Sequence, residues 1–599
     1  MNNVDRNQAI GLVLISAMLI AYFTFFSNSG TESNSTKQET VQIDSASASA
    51  PETVIAAPKD SAAVKAEYGS LASFAAGTAQ EYTLENSDIK IVFSSKGAQI
   101  KSVLLKNYKT YSNEDLYLIK SEFNQFKLSA FLPTGKVNLS DLHYKAVQNG
   151  NVISFSLPLG ENSYFTQNFT LPEKGFELVY KIESKGLDNI IQNDKIEVKW
   201  AENEPLTEKD LAAARQTANI TYRMMDGTYN SLSETKFETQ EQKLEGRVNW
   251  VTFKQKFFSV GFIAENGFAN GDVKSETNVN NPAIVKSFTA NLGISVADLE
   301  AGKGQFKYYF GPNKLSIVGD VAPNFNENVY LGWPVINTIN RYTIAPLFSL
   351  LEKIISNYGV IIICMVLIIK AILFPLSFQS YKSMAKIKVL KPELDEIKAR
   401  TGDDMAAMQQ EQMKLYQQVG INPLAGCVPV LLQMPVLLAM FNFFPNAIEL
   451  RQQAFLWAED LSTYDSIATL PFSIPFYGDH VSLFTLLMTA STILYTWYNN
   501  QINVSATGPM IAMSYIMPLV FMFVLNSMPA GLSFYYFISN MITVGQQFII
   551  KAFVDENAIR LKLEENKKNS VTKKPNRFQQ RLQAAMEQQQ EMKKRAGKK

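Results

Sequence analysis

One residue stands apart among those able to do chemistry: Lys370, in Leu367-Ile368-Ile369-Lys370-Ala371-Ile372-Leu373-Phe374-Pro375. An ionisable side chain inside such an apolar run is expensive in a bilayer and by default marks a functional site. The plain alternative is snorkelling, in which the long stem carries the ammonium toward the headgroups. No Asp, Glu or His falls within the apolar runs at 356–377, 424–444, 481–499, 510–527 and 531–550, so Lys370 has no counter-ion at its own depth. A lone buried ammonium either loses its proton or draws in water. A hydrated pocket open to one side is the cheaper arrangement. The missing carboxylates also argue against a proton- or cation-coupled transporter, whose relays need them.

Other polar groups could line such a pocket. Gln433, in Leu431-Leu432-Gln433-Met434-Pro435, lies near mid-depth, where it either serves the pocket or bonds to a neighbouring helix. Tyr535 and Tyr536 fit a pocket wall or an interfacial aromatic belt. Ser539, Asn540 and Thr543 continue the same run with polar groups. Nine methionines between 424 and 550 serve either as core filling or as a compliant surface for many apolar partners. Cys364 and Cys427 sit in apolar runs, and the two histidines, His143 and His480, lie far apart, which excludes a cysteine-rich zinc site or a histidine triad. No nucleophile–base pair, P-loop, GxGxxG or HExxH motif has a plausible context. The expectation is a protein that is not an enzyme and needs no metal or cofactor.

The elements that position these residues follow from hydropathy and periodicity. With 19% charged and 46% apolar residues over 599 positions, the chain carries less charge than a soluble protein, and charge and grease are segregated along it. Ala9 to Phe26 is an uncharged apolar run, long enough for most of a ~30 Å hydrocarbon core and too long for a signal-peptide core, so residues 1–27 read as an uncleaved anchor. Residues 28–80, rich in Ser, Ala, Thr and Glu, read as a flexible linker. Across 81–325, short β-forming runs such as Ile89–Phe93, Val152–Leu157, Leu178–Ile182 and Ile196–Trp200 alternate apolar and polar positions. That pattern calls for a large antiparallel β-sandwich. Residues 326–355 read as an interfacial amphipathic helix region, with the helix expected to start near Pro346. Five spans then fill 356–550, interrupted at 378–420 by a charged helical hairpin in which Gly402 stops one helix and an Asp caps the next. Residues 551–599 form a basic tail.

Charge sets the expected orientation. The tail carries fourteen Lys/Arg against six Asp/Glu and the hairpin seven basic residues, whereas the 446–480 loop has only Arg451 against five acids. The positive-inside rule puts hairpin, tail and N-terminus in the cytoplasm, and residues 28–325 outside. The tail's charge could serve topology and lipid headgroups, or bind ribosomal RNA.

Several motifs occur in order over about two hundred residues: Lys370 to Leu376, Thr401-Gly402-Asp403-Asp404, Asn422-Pro423-Leu424-Ala425-Gly426-Cys427, Gln433-Met434-Pro435-Val436 and Gly531 to Asn540. Together they resemble the insertase core of the YidC/Oxa/Alb family. Asn249 to Phe258 and Phe310-Gly311-Pro312 resemble the outer domain of its Gram-negative form. The resemblance implies a polytopic α-helical inner-membrane protein of six spans, with a five-helix insertase core and a periplasmic antiparallel β-sandwich. It implies an insertase and chaperone acting alone or with the Sec translocon, on nascent membrane proteins, through a groove open to cytoplasm and lipid. Lys370 falls where the family carries a groove arginine, so a compact ammonium replaces a bidentate guanidinium. Gln433 and Tyr536 match groove positions, with Tyr535 beside them, and Val366 stands where the family has a threonine. A channel or transporter, and a structural envelope protein, are the competing classes; the first lacks intramembrane acids and the second leaves the C-terminal spans unexplained.

Overall fold

The computed structural model describes residues 61–160, 163–188, 190–402, 404–421, 428–502 and 508–569. The chain divides between Val329 and Tyr330 into two compact units. The expected anchor over Ala9–Phe26 lies outside the described residues, as does the linker up to residue 60. From Ser61 the stretch expected to be linker is helical: Ser61–Tyr68 is an α-helix and Gly69–Phe74 a 3-10 turn. Leu71 there is buried, lining one apolar pocket with Leu132, Leu139 and Phe165, so these residues find a core to join.

The first unit is built on three antiparallel sheets of four, nine and six strands. Period-2 runs produce them where expected, as in Ile89–Ser94, Val152–Pro158, Glu177–Lys185 and Gln192–Pro205. Trp200 of the six-stranded sheet stacks on Phe253 of the nine-stranded sheet at 3.7 Å, and Phe126 meets Phe262 edge-on at 5.5 Å. The four-stranded sheet packs on the nine-stranded one through Phe93 and Phe169, 4.9 Å apart. Aromatic contact between inner faces thus joins the layers, which defines a sandwich.

The strand Gln192–Pro205 carries its inward alternation past the apolar residues. Ile196, Val198 and Trp200 are buried, and so are the next two positions in phase, Glu202 and Glu204, each only 3% exposed. Burial pushes the Glu202 carboxyl from its ordinary 4.5 up to about 8, opposed by the Asn124 amide that donates to Oε2 at 3.2 Å. Burial first, and then the charge of Glu202, raise Glu204 well above the carboxylate range. The folded Glu202 therefore stays protonated while the unfolded chain ionises. Stability is fully present below pH 4.5 and is lost as pH rises toward 8, at about 1.4 kcal/mol per pH unit. Glu202→Gln keeps an acceptor for Asn124 and removes the titration. It is expected to melt higher than the parent chain at pH 8 and alike at pH 4.5, by thermal unfolding of the full chain.

The second unit is helical. It opens with Pro334–Ile339, a π-turn over Asn340–Ile344 and Ala345–Glu352. The helix therefore starts at Pro334, twelve residues before the expected Pro346. Pro346 sits just past the π-turn, where Ala345 N–H reaches back to Asn340 O, so the widened turn absorbs the proline in mid-course. After Asn357, whose side chain accepts from Val360 N–H at 3.1 Å, come α1 (Tyr358–Val389), α2 (Lys391–Thr401), α3 (Met405–Val419), α4 (Val428–Asn446), α5 (Leu483–Ile502), α6 (Gly508–Leu525), α7 (Ala530–Phe553) and α8 (Glu556–Asn569). The five runs expected as C-terminal spans coincide in their described residues with α1, α4, α5, α6 and α7, residues 424–427 of the second lying outside the described residues. By length and composition α1 qualifies on its own to cross a membrane among the described residues, and α7 with α8 would count as a second if that pair, bent by 67°, were one span. Gly402, at φ 54°, ends α2, and Asp404 Oδ1 accepts from Ala407 N–H at 3.0 Å to start α3. Helix α1 runs through Pro375 to Val389, so residues 378–389 continue it instead of opening a separate hairpin arm.

Candidate functional site

Lys370 lies near the middle of α1 and is 7% exposed. Its Nζ donates to Thr543 Oγ1 of α7 at 2.8 Å, and Thr543 in turn donates to Ser539 O at 2.7 Å. One turn on, the Gln546 side chain donates to the Lys370 carbonyl at 3.3 Å. Lys370 makes no ion pair among the described residues, in keeping with the absence of acids from these helices. One neutral hydroxyl leaves two of the three ammonium protons without an acceptor among the described residues. The site is thus polar, cationic and only partly satisfied.

Helix α7 carries the rest of the site. Tyr536, Asn540 and Thr543 follow i, i+4, i+7 spacing, which places them on one face. Each reaches a different neighbour: Thr543 reaches α1, Asn540 donates to Ser491 and Thr492 of α5 at 3.1 and 2.8 Å, and the Tyr536 hydroxyl approaches Leu437 O of α4 at 3.5 Å. Leu437 lies one turn beyond Gln433, which is half-buried and has no hydrogen-bond partner among the described residues. Tyr535 is 4% exposed, its ring 5.5 Å from Phe444 and 5.6 Å from Tyr536. The structure therefore joins Lys370 to α7 and brings Tyr536 to the α4 turn that follows Gln433. Thr543 and Asn540, noted in the sequence only as polar groups, prove to be the contacts that tie α7 to α1 and α5. Their heptad-like spacing with Tyr536 was the available signal.

A second polar cluster closes one end of the helices. Asp465, buried, accepts from Trp457 Nε1 at 2.8 Å, Ser482 Oγ at 2.5 Å and Phe484 N–H at 3.1 Å, fixing the start of α5. Asn526, just past α6, donates to the carbonyls of Tyr477 and His480 and accepts from Ser482 N–H. Sequence reading counted Asp465 only as loop charge and missed both roles.

Apolar helices gathered around the buried Lys370, carried on the same chain as an antiparallel sandwich, define a class: a membrane-embedded helical core with an appended β domain. The family model described as 60Kd inner membrane protein matches residues 350–557, and that described as YidC periplasmic domain matches 81–343. A membrane protein insertase YidC of Amoebophilus asiaticus is 44% identical over 595 residues, covering 97% of this chain and 98% of its own. One of Cytophaga hutchinsonii is 44% identical over 635 aligned positions, covering each chain completely. A crystal structure of an active YidC insertase with its first transmembrane domain resolved aligns with 78% of this chain and 92% of its own, at 16% identity and a TM-score of 0.33. On the strength of the two sequence relatives, the chain belongs to the YidC family of inner-membrane insertases, and its sandwich is that family's periplasmic domain.

Proposed function

We propose that this chain inserts and helps fold other membrane proteins through a hydrated groove centred on Lys370. The observation that carries the reading is a buried ammonium held by Thr543 with no carboxylate beside it among the described residues. Such a cation is tolerable where water reaches it, and it would attract the acidic or polar flank of an arriving segment. Gln433, Tyr535 and Tyr536 complete the groove, while the apolar faces of the neighbouring helices accept the hydrophobic stretch. No covalent chemistry is involved, and no cofactor.

The arrangement is multi-pass, with six spans: residues 1–27 as anchor, 28–60 as periplasmic linker, 61–325 as the sandwich with its leading helix, 326–355 as the interfacial region and 356–550 as the core. The hairpin 378–420 and the basic tail 551–599 lie in the cytoplasm with the N-terminus. The groove opens to cytoplasm and lipid, the hairpin recruits substrate, and the tail's fourteen basic residues serve topology and lipid headgroups, with ribosomal RNA as the second partner their charge would suit. The chain works alone or beside the Sec translocon. Photo-crosslinkers at Gln433 and Tyr536 are expected to capture a stalled nascent membrane segment, and one on the sandwich surface at Val147 is not. Proteoliposomes that conduct ions and insert nothing would sink this reading.

A further inference from the structure

The segment joining α4 to α5 ends in a two-stranded ribbon, Ala468–Ile474 paired with Gly478–Val481. Its inner strand is fixed to the helices. His480 is buried, stacks on Tyr464 at 3.7 Å and pairs Nε2 with Asn526 O at 3.0 Å, and Val481 stands two residues before α5 begins. The ribbon's base is thereby pinned level with the start of α5 and the end of α6.

The outer strand is unlike a water-facing edge. From Ile467 to Phe476 it has no charged residue, yet it is exposed almost throughout, with Phe472 at 61% and Phe476 at 67%. Ala468, Leu470, Phe472, Ile474 and Phe476 make the stretch apolar, broken only by the hydroxyls of Thr469 and Ser473 and the rings of Pro471 and Pro475, and its pairing with the inner strand is irregular between Thr469 and Ile474. A long, uncharged, apolar edge in water invites pairing with another strand. Pro471 and Pro475 lack the N–H groups that such pairing needs, which disfavours a second copy or an extended peptide. The missing donors also reduce the cost of placing the strand where water is scarce, because fewer backbone N–H groups are left without partners. The absence of charge gives a charged partner nothing to recognise.

We infer that this ribbon lies on the outer leaflet of the bilayer, with Phe472 and its apolar neighbours in the interfacial layer and the exposed Asp479 side chain toward water. The occupant of the exposed apolar face is lipid. The inference rests on the multi-span reading, since it needs the ends of α5 and α6 at a membrane surface. Held there, the ribbon would resist tilting of these two helices when a segment passes.

The test uses the full chain, with Cys364→Ala and Cys427→Ala, in vesicles of phosphatidylethanolamine and phosphatidylglycerol. Nitroxide labels are placed singly at Phe472→Cys, Ala468→Cys, Asp479→Cys and Val520→Cys, the last on the exposed face of α6. Labels at 472 and 468 are expected to meet oxygen more readily than a nickel chelate, as the 520 label does, with the order reversed at 479. If 472 and 468 behave like 479 while 520 remains in lipid, the ribbon proposal fails and the span reading stands. If 520 is also open to the chelate, the span reading itself has failed and takes the proposal with it. Protection of 472 and 468 from both reagents would mean cover by protein, and would equally overturn the assignment to lipid.

Discussion

Lys370→Glu is expected to reduce insertion of single-span substrates by at least about tenfold in cells depleted of the native protein, equivalent to ~1.4 kcal/mol. The reversal puts a carboxylate where the only side-chain partner among the described residues is the Thr543 hydroxyl, which could donate to it only by leaving Ser539 O and supplies no charge. An arriving acidic flank would then meet repulsion instead of attraction. Lys370→Ala removes the attraction without adding repulsion and is expected to fall between Glu and the parent. Lys370→Arg keeps the charge and is expected to retain most activity, at the cost of fitting a wider, planar head against α7. Thr543→Val separates charge from packing: it strands the ammonium further but leaves the cation in place, so insertion should drop less than in Lys370→Ala. If Ala and Glu both insert like the parent chain, the charged groove is wrong.

Period-2 alternation made the sandwich legible because one face of each strand is apolar and the other polar. The same rule hid Glu202 and Glu204: they occupy inward positions in phase with Trp200, but a count of apolar residues treats a carboxylate as a break. Lys370 was legible because charge in an apolar run is conspicuous. Its partner was not, since Thr543 lies 173 residues away and pairing between helices leaves no mark on local pattern. Pro346 misled because a proline is ordinarily a start signal, whereas here a π-turn carries the helix past it.

The second large effect concerns α8, which sequence reading absorbed into the basic tail. Fourteen of the tail's residues are basic, and that density masked two apolar positions at i, i+4 spacing, Ile559 and Leu563. Both belong to one buried apolar cluster with Ala385 and Ile387 of α1, Leu394 and Ile397 of α2, and Met408, Leu415 and Tyr416 of α3, so α8 packs into a small bundle with the hairpin and the end of α1. Asn566 adds a hydrogen bond to Val419 O at 3.2 Å, and Lys388 pairs with Glu556 at 2.7 Å. The ion pair is well exposed on both sides and is worth about 0–1 kcal/mol. Truncating one buried Leu or Ile costs ~2–5 kcal/mol, and burying a charge in its place costs more. Ile559→Asp with Leu563→Asp is therefore expected to detach α8 and to speed amide exchange across α2 and α3 by tenfold or more in the full chain, with α7 unchanged. Glu556→Gln should leave exchange almost as it was. Equal effects from the two changes would mean that charge, and not the apolar seam, holds the hairpin to the tail. Unchanged protection in the double Asp variant would mean that α2 and α3 stand without α8. The expected outcome couples hairpin and tail: whatever engages the basic residues beyond Asn569 pulls directly on the helix that covers the hairpin's apolar side.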